Sequence, residues 1–207
     1  MNKLAVFDFD STLMDGETIE IIASEVGLRE QVASVTKRAM EGKLDFFESL
    51  TYRVSLLKGI SEKRVNDICS NLPYMTGAKD AISVLKKRGF IVVCFSGGFR
   101  NATAYAKNIL GYDADFSNIL HTNNGILTGL VGGSMMFSDS KGEMLKRLQC
   151  VLGVSIENTV AVGDGANDLS MFKYAGTKVA FCAKQCVKDA STVCIDEKDL
   201  SILPDKI

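Results

Sequence analysis

The sequence predicts an α/β protein whose core is a doubly wound, Rossmann-like parallel sheet. Short apolar runs alternate with segments of helical period along most of the 207 residues. This alternation is typical of a parallel sheet with helices on both faces. The predicted strands are 3–8, 90–95, 159–163, 177–181 and 192–195, and the predicted core helices are 77–88, 99–110, 141–152 and 166–175.

A long helical segment interrupts this alternation directly after the first strand. Four helical patterns follow one another at about 16–26, 29–41, 44–57 and 61–71. An insertion of this length with its own periodicity is more than a loop. We therefore interpret residues 15–73 as a helical-bundle cap domain and residues 1–14 with 74–207 as the catalytic core, joined by short hinges near Leu13 and Pro73.

Two further elements belong to the predicted core. The helix after the cap carries one apolar stripe, formed by Ala78, Ala81, Ile82 and Leu85. Two short runs within 114–133 flank Asn123-Asn124-Gly125, which is a strong hairpin signal. We therefore expect a small β-hairpin insertion at about 114–133.

Composition limits the function classes. The net charge is −1, whereas nucleic-acid-binding proteins usually carry a strong excess of Lys and Arg. No apolar stretch reaches the ~20 residues that span a bilayer, and the first residues lack a signal-peptide pattern. The six scattered cysteines suggest buried, reduced thiols. We expect a cytoplasmic protein with a small-molecule substrate and neither a nucleic-acid nor a membrane partner.

An acidic pair closes the first predicted strand. Asp8 and Asp10 stand where a buried strand emerges into a loop, and alternate residues of a strand share one face. Ligands of open α/β sheets bind beyond the carboxyl ends of the strands. Both carboxylates could therefore face a cation, a phosphate or both, although an acidic pair alone often only solvates a turn.

Three more polar sites fall at predicted strand or helix ends. They are Ser96-Gly97-Gly98, which resembles an anion cradle at a helix N-terminus, Lys141 after a possible N-cap at Ser140, and Gly163-Asp164-Gly165-Ala166-Asn167-Asp168. Asp8, Asp10 and Asp164 offer the hard oxygen ligands that Mg²⁺ prefers. Each site alone has an ordinary structural explanation, but a cation site beside an anion cradle indicates phosphoryl chemistry.

These motifs resemble those of haloacid-dehalogenase-superfamily phosphatases. The matching segments are Asp8-Phe9-Asp10-Ser11-Thr12, Ser96-Gly97-Gly98-Phe99, Lys141 and Gly163 to Leu169. Over essentially its whole length the chain is similar to the phosphoserine phosphatase family within that superfamily. Glu17 and the segments Met40 to Phe46 and Arg53 to Leu57 carry this narrower resemblance.

The resemblance implies a role for each core residue. Asp8 would be the nucleophile that forms an aspartyl-phosphate, and Asp10 would protonate the leaving oxygen and then activate water. Mg²⁺ would lie between the Asp8 side chain, the Asp10 backbone carbonyl and Asp164. The remaining roles would be phosphate binding by Ser96, Gly97 and Lys141, substrate contact by Asn167, and support of Lys141 or a metal-bound water by Asp168.

The resemblance also implies how the cap selects its substrate. Arg53 would bind the carboxylate of serine and Glu17 its ammonium group. Met40 and Phe46 would close over the site and exclude water. An isolated charge on a helix usually just faces solvent. The joint occurrence of Arg53 and Glu17 at positions that match the family favours a role in substrate binding instead.

The expected activity is Mg²⁺-dependent hydrolysis of O-phospho-L-serine to L-serine and phosphate, the last step of serine biosynthesis. Alternatives within the same fold are phosphoryl transfer to a hydroxyl acceptor such as homoserine, or action on a related small phosphate monoester. A signalling receiver domain would use similar residues, but it has no need of Asp10 or of a helical cap. The sequence leaves a monomer and a homodimer equally open.

Overall fold

The structure, a computed structural model, describes residues 2–40 and 44–207, with the side chains of 37–40 outside that description. Its centre is a seven-stranded sheet in the order β4-β3-β2-β1-β5-β6-β7, in which every neighbouring pair is parallel except β3 and β4. The strands are β1 Lys3–Asp8, β2 Phe90–Phe99, β3 Ala114–Asn123, β4 Ile126–Gly133, β5 Thr159–Gly163, β6 Thr177–Phe181 and β7 Val193–Ile195.

Nine α-helices are found in the described part of the chain. They are α1 Thr18–Glu25, α2 Arg29–Met40, α3 Phe46–Ser55, α4 Glu62–Cys69, α5 Ala78–Lys87, α6 Arg100–Leu110, α7 Ser140–Leu152, α8 Leu169–Phe172 and α9 Gln185–Asp189. Within the described ranges, none of them has the length and apolarity needed to span a membrane.

The structure confirms the predicted fold class and corrects three details. β2 runs to Phe99 instead of ending at residue 95. The helix predicted at 166–175 is a 3₁₀ turn, Ala166–Asp168, followed by the four residues of α8. The hairpin over 114–133 forms, but β3 pairs in parallel with β2, so the hairpin extends the main sheet instead of standing apart from it.

The core lies on both faces of the sheet. Along β1, Ala5 and Phe7 belong to one apolar cluster, whereas Leu4 and Val6 belong to the other. This alternation follows from the two-residue period of a strand. All four side chains are fully buried, as expected for a parallel strand covered by helices on both sides.

The expectation of buried cysteines is only partly correct. All six are free thiols. Apolar residues beside a cysteine in the sequence do not guarantee that its side chain is buried. Cys69 and Cys94 are buried and Cys182 is half-buried, whereas the exposed ones are Cys150, Cys186 and Cys194.

Helices α1–α4, which we call the cap helices, fill the stretch predicted as a cap. The two segments that connect them to the rest of the chain run side by side. Met75 N donates to Leu13 O at 3.0 Å and Asp15 N donates to Pro73 O at 2.9 Å. The predicted hinge positions are therefore neighbours in space, while the division into two domains stays a prediction.

Further contacts hold the cap helices against the rest of the protein. Between α3 and α4, the amide of Gly59 donates to Leu127 O at 2.9 Å, and the Leu127 amide donates to Ile60 O at 2.8 Å. Elsewhere the rings of Phe47 and Phe137 stack with their centroids 5.3 Å apart. The cap helices are thus attached to the β3–β4 hairpin by backbone hydrogen bonds and to the loop before α7 by an aromatic pair.

Close packing of α7 on α8 gives a first testable prediction. A Cβ at Gly142 would lie 2.5 Å from the carbonyl oxygen of Ser170. In an isolated helix, replacing glycine with alanine would stabilise the helix by about 1 kcal/mol. Here we expect a loss of about 1–3 kcal/mol in the free energy of unfolding, measured by urea titration, because backbone atoms must move apart.

The matched control is Gly132→Ala, where a Cβ would meet no atom within 4 Å. We expect it to change the free energy of unfolding by less than about 0.5 kcal/mol. A Gly142→Ala protein as stable as the wild type would contradict the packing described for α7 and α8.

Candidate active site

The carboxyl ends of three neighbouring strands bring the predicted site residues together. Asp8 ends β1 at the centre of the sheet, Ser96 lies in the last part of β2, and Asp164 follows β5. Because these strands are parallel, their carboxyl ends share one edge of the sheet. A cavity of about 200 Å³ opens there beneath α1 and α3.

Lys141 lies at the base of this cavity, between two carboxylates. Its Nζ is 2.6 Å from Asp8 Oδ1 and 2.6 Å from Asp168 Oδ1, and all three side chains are buried. Asp168 Oδ2 accepts hydrogen bonds from the amides of Asp164 and Gly165, each at 3.0 Å. Asp168 therefore ties the ammonium group to the loop after β5.

Burial and charge set the ionisation of this group. Burial alone would lower the pKa of Lys141, but the carboxylates of Asp168 and Asp8 outweigh it and raise that pKa above its usual value. Burial raises the pKa of Asp8 well above its usual value, Asp168 raises it further, and Lys141 opposes both. Lys141 is therefore a permanent cation that holds one oxygen of Asp8 in place.

The carboxylates here also fit a metal ion. Oxygens of Asp8, Asp164 and Asp168 lie within 4.8 Å of one another. Both oxygens of Asp168 are already engaged, which leaves Asp8 and Asp164 as the available ligands. Burial and then Asp168 raise the pKa of Asp164 to about 7, and a divalent cation would relieve this repulsion.

Asp10 is held by the first residue of α1. Its Oδ1 accepts hydrogen bonds from the Thr18 amide, at 2.8 Å, and from the Thr18 hydroxyl. Burial raises the pKa of Asp10, while these hydrogen bonds lower it. Its Oδ2 lies 2.9 Å from the Cβ position of Gly98, so a side chain at Gly98 would displace it. Asp10 thus has one anchored oxygen and a second one available for proton transfer.

The Ser96-Gly97-Gly98 segment adopts a conformation different from the one predicted. β2 continues through these residues and α6 begins only at Arg100, so they form an extended segment and no helix N-terminus. The Ser96 hydroxyl is buried and accepts from the Gly98 amide at 2.9 Å. A Cβ at Gly97 would lie 2.9 Å from Cζ of Phe46, so glycine permits the close approach of α3.

The cap segment contributes one acidic and one cationic side chain to the same cavity. Glu17 accepts a hydrogen bond from the Ser11 hydroxyl at 2.9 Å. Burial, and next the charge of Asp10, raise the pKa of Glu17 to about 8. Arg53 donates from Nε to Ser49 O at 3.2 Å; burial lowers its pKa, while Glu17 and Asp10 oppose that change.

The structure places nearly all the predicted residues around one cavity. Those that line it are Asp8, Asp10, Glu17, Phe46, Arg53, Gly97, Asp164 and Asn167. Ser96, Lys141 and Asp168 are buried. The side chain of Met40 lies outside the described residues. The predicted N-cap at Ser140 is wrong, since Asp139 precedes the helix and the Ser140 hydroxyl accepts from the Phe137 amide.

Sequence reasoning missed several residues of this site. Thr18, which anchors Asp10, and Glu20, which lines the cavity, lie close behind Glu17 in the chain. Their spacing on the first turn of a helix could have indicated them. Thr36 and Lys184 also line the cavity, but they reach it only through the packing of distant segments, which no local pattern reveals.

Comparison with known proteins agrees with this geometry. A family model for haloacid dehalogenase-like hydrolases matches residues 2–176, and the chain therefore belongs to that family of hydrolases. The chain is 60% identical over 198 residues to the phosphoserine phosphatase of Wolinella succinogenes, covering 96% of each protein. It is 48% identical over 198 residues to that of Methanocaldococcus jannaschii, covering 96% of this chain and 94% of the relative.

A solved structure is similar over the whole chain. It is described as a phospho-aspartyl intermediate analogue of phosphoserine phosphatase, with 47% sequence identity and a TM-score of 0.93. The match covers 100% of this chain and 99% of that one. The cap helices and the hairpin thus belong to a fold that the two proteins share.

The raised pKa of Glu17 gives a prediction about stability. Its folded pKa of about 8 exceeds the ordinary 4.5, so the folded state holds a proton that the unfolded state releases between these pH values. Glu17 therefore weakens the fold increasingly as the pH rises through this window. In metal-free buffer, Glu17→Gln should therefore increase the free energy of unfolding relative to wild type by more at pH 8 than at pH 5.

Urea titrations of both proteins at the two pH values measure this difference. Glutamine keeps an acceptor for the Ser11 hydroxyl, so the comparison isolates the charge. An effect of equal size at pH 5 and pH 8 would show that Glu17 does not titrate as described.

Proposed function

We propose that this protein hydrolyses O-phospho-L-serine to L-serine and inorganic phosphate. The observation that carries the proposal is one cavity with two chemically different ends. Asp8 and Asp10 lie at the sheet, whereas Arg53 and Glu17 come from the cap side. A substrate with a phosphate at one end and both an ammonium and a carboxylate at the other matches this arrangement, and the curated relatives are named phosphoserine phosphatases.

In the first step, an oxygen of Asp8 attacks phosphorus. Lys141 and the Phe9 amide, which donates to Asp8 at 2.7 Å, orient the carboxylate. The bond from phosphorus to the seryl oxygen breaks, and Asp10 gives its proton to that oxygen, releasing serine. The raised pKa of Asp10 suits it to carry this proton.

In the second step, Asp10 acts as a base. It takes a proton from a water molecule, whose oxygen attacks the phosphorus of the aspartyl-phosphate. The bond from phosphorus to Asp8 breaks, phosphate leaves, and both carboxyl groups return to their starting states. The hydrogen bonds from Thr18 keep Asp10 in place for both transfers.

Mg²⁺ is the metal that we propose for this site, held by the Asp8 and Asp164 side chains and the Asp10 carbonyl. When bound, it neutralises charge on the phosphoryl oxygens. The fit of this ion rests on the oxygen donors of Asp8 and Asp164, which lie close together. Among the described residues, Lys141 is the one cation within ion-pair distance of these two carboxylates, and it pairs with Asp8.

The other predicted residues complete the proposal. Ser96, Gly97, Lys141 and Asn167 bind the phosphoryl end, and Met40 and Phe46 exclude water from the cavity. The ring of Phe46, placed over Gly97, supports this role for that residue. The six free cysteines support a cytoplasmic location as part of the same proposal.

A panel of phosphate monoesters tests the substrate. Purified protein with Mg²⁺ is assayed for phosphate release from phosphoserine, phosphoethanolamine and an aryl phosphate, with and without homoserine. We expect the highest kcat/KM for phosphoserine, because only this ester engages both Arg53 and Glu17. Indiscriminate hydrolysis would refute the substrate, and accumulation of phosphohomoserine would indicate transfer in place of hydrolysis.

Arg53→Ala tests how the substrate is recognised. Loss of a charge-assisted hydrogen bond should raise KM for phosphoserine by about tenfold to a hundredfold, with a much smaller change for phosphoethanolamine, which lacks the carboxylate. Arg64→Ala is the control, because Arg64 also lies on a cap helix but pairs with Glu25 away from the cavity. Equal changes in KM for the two esters would contradict a carboxylate clamp at Arg53.

A further inference from the structure

Lys184 is a cation of the cavity that the proposed mechanism does not use. It is exposed, lies between β6 and α9, and lines the same cavity as Asp8 and Asp164. Its amide donates to Asp164 O at 3.1 Å, which fixes its backbone beside the loop after β5. Lys184 thus stands on the sheet side of the opening, whereas Arg53 comes from α3.

Acidic side chains outnumber basic ones in the lining of the cavity. Five carboxyl residues line it, namely Asp8, Asp10, Glu17, Glu20 and Asp164, against two cations, Arg53 and Lys184. Lys141 lies deeper, and its charge is already matched by Asp8 and Asp168 at 2.6 Å each. Although the raised pKa values keep part of these acids protonated, the acidic side chains outnumber the two cations, and each ionised carboxylate repels an incoming phosphate monoester.

Lys184 is the cation best placed to offset that repulsion at the phosphoryl end. Among the described residues, no carboxylate lies within ion-pair distance of its ammonium group. By contrast, Lys188 and Lys198 in the same part of the chain are paired with Asp196 and Asp15. An unpaired, hydrated ammonium can bind a phosphate oxygen without breaking an existing ion pair.

We propose that Lys184 is a phosphoryl-binding residue at the mouth of the cavity, which captures the incoming phosphate ester and retains the departing phosphate. This inference rests on the proposed function only in treating the substrate as a phosphate monoester. It assigns Lys184 to binding and leaves the chemical steps to Asp8 and Asp10. The group that it contacts is the phosphoryl oxygen, and the carboxylate of the substrate is left to Arg53.

The test compares Lys184→Gln with Lys184→Arg at saturating Mg²⁺, using phosphoserine and phosphoethanolamine as substrates and inorganic phosphate as an inhibitor. For Lys184→Gln we expect KM for both esters and the inhibition constant of phosphate to rise by about threefold to tenfold, with kcat nearly unchanged. The increase should shrink at high ionic strength. Arginine should restore most of the binding, because it keeps the charge.

Lys146→Gln is the matched control, since Lys146 is exposed on α7 and does not line the cavity. Lys184→Gln with the same constants as this control would overturn the proposal. An increase confined to phosphoserine would assign Lys184 to the substrate carboxylate instead, and an increase that appears only below saturating Mg²⁺ would assign it to the metal site. If phosphoserine is not the preferred substrate, the inhibition constant of phosphate and KM for phosphoethanolamine still test whether Lys184 binds the phosphoryl group.

Discussion

The site depends on one buried cation held between two buried acids. An ammonium group as buried as that of Lys141 is tolerable only with close opposite charges, and Asp8 and Asp168 supply them at 2.6 Å. The three side chains come from the central strand, from α7 and from the loop after β5. Their pairing therefore fixes the relative positions of three distant segments, and the geometry around the nucleophile follows from it.

Around this centre, the cap helices are attached at places that leave the cavity between them and the sheet. The connecting segments at Leu13 and Pro73 run side by side, and the hairpin tip is bonded to the loop before α4. A further contact is the stack of Phe47 on Phe137, a pair that contributes about 0.5–1.5 kcal/mol. Phe47 follows Phe46, whose ring covers Gly97.

Much of this architecture could be predicted from the sequence. The strand Thr159–Gly163 matched its prediction residue for residue, because a short apolar run ending in glycine has few alternatives inside a core. Asp8, Asp10 and Asp164 were found because polar residues at the ends of buried strands are unusual. Parallel pairing then places such residues at one edge of the sheet, whatever the details of the loops.

Other features depend on tertiary contacts that no local pattern encodes. Nothing near Asp168 in the sequence shows that both of its oxygens are engaged, by Lys141 and by two amides. The anchoring of Asp10 by Thr18 requires the start of α1 to fold back onto the end of β1. Lys184 enters the cavity only because β6 lies beside β5 in the sheet.

The most direct test of the account is to identify the residue that carries the phosphoryl group during turnover. The protein is mixed with phosphoserine and Mg²⁺, quenched in acid, reduced with borohydride and digested for mass spectrometry, with Asp8→Asn as the control. Reduction of an acyl phosphate gives an alcohol, so the account predicts homoserine at position 8 and no conversion in the variant. Homoserine at position 10, or turnover with no residue converted to homoserine, would contradict nucleophilic attack by Asp8.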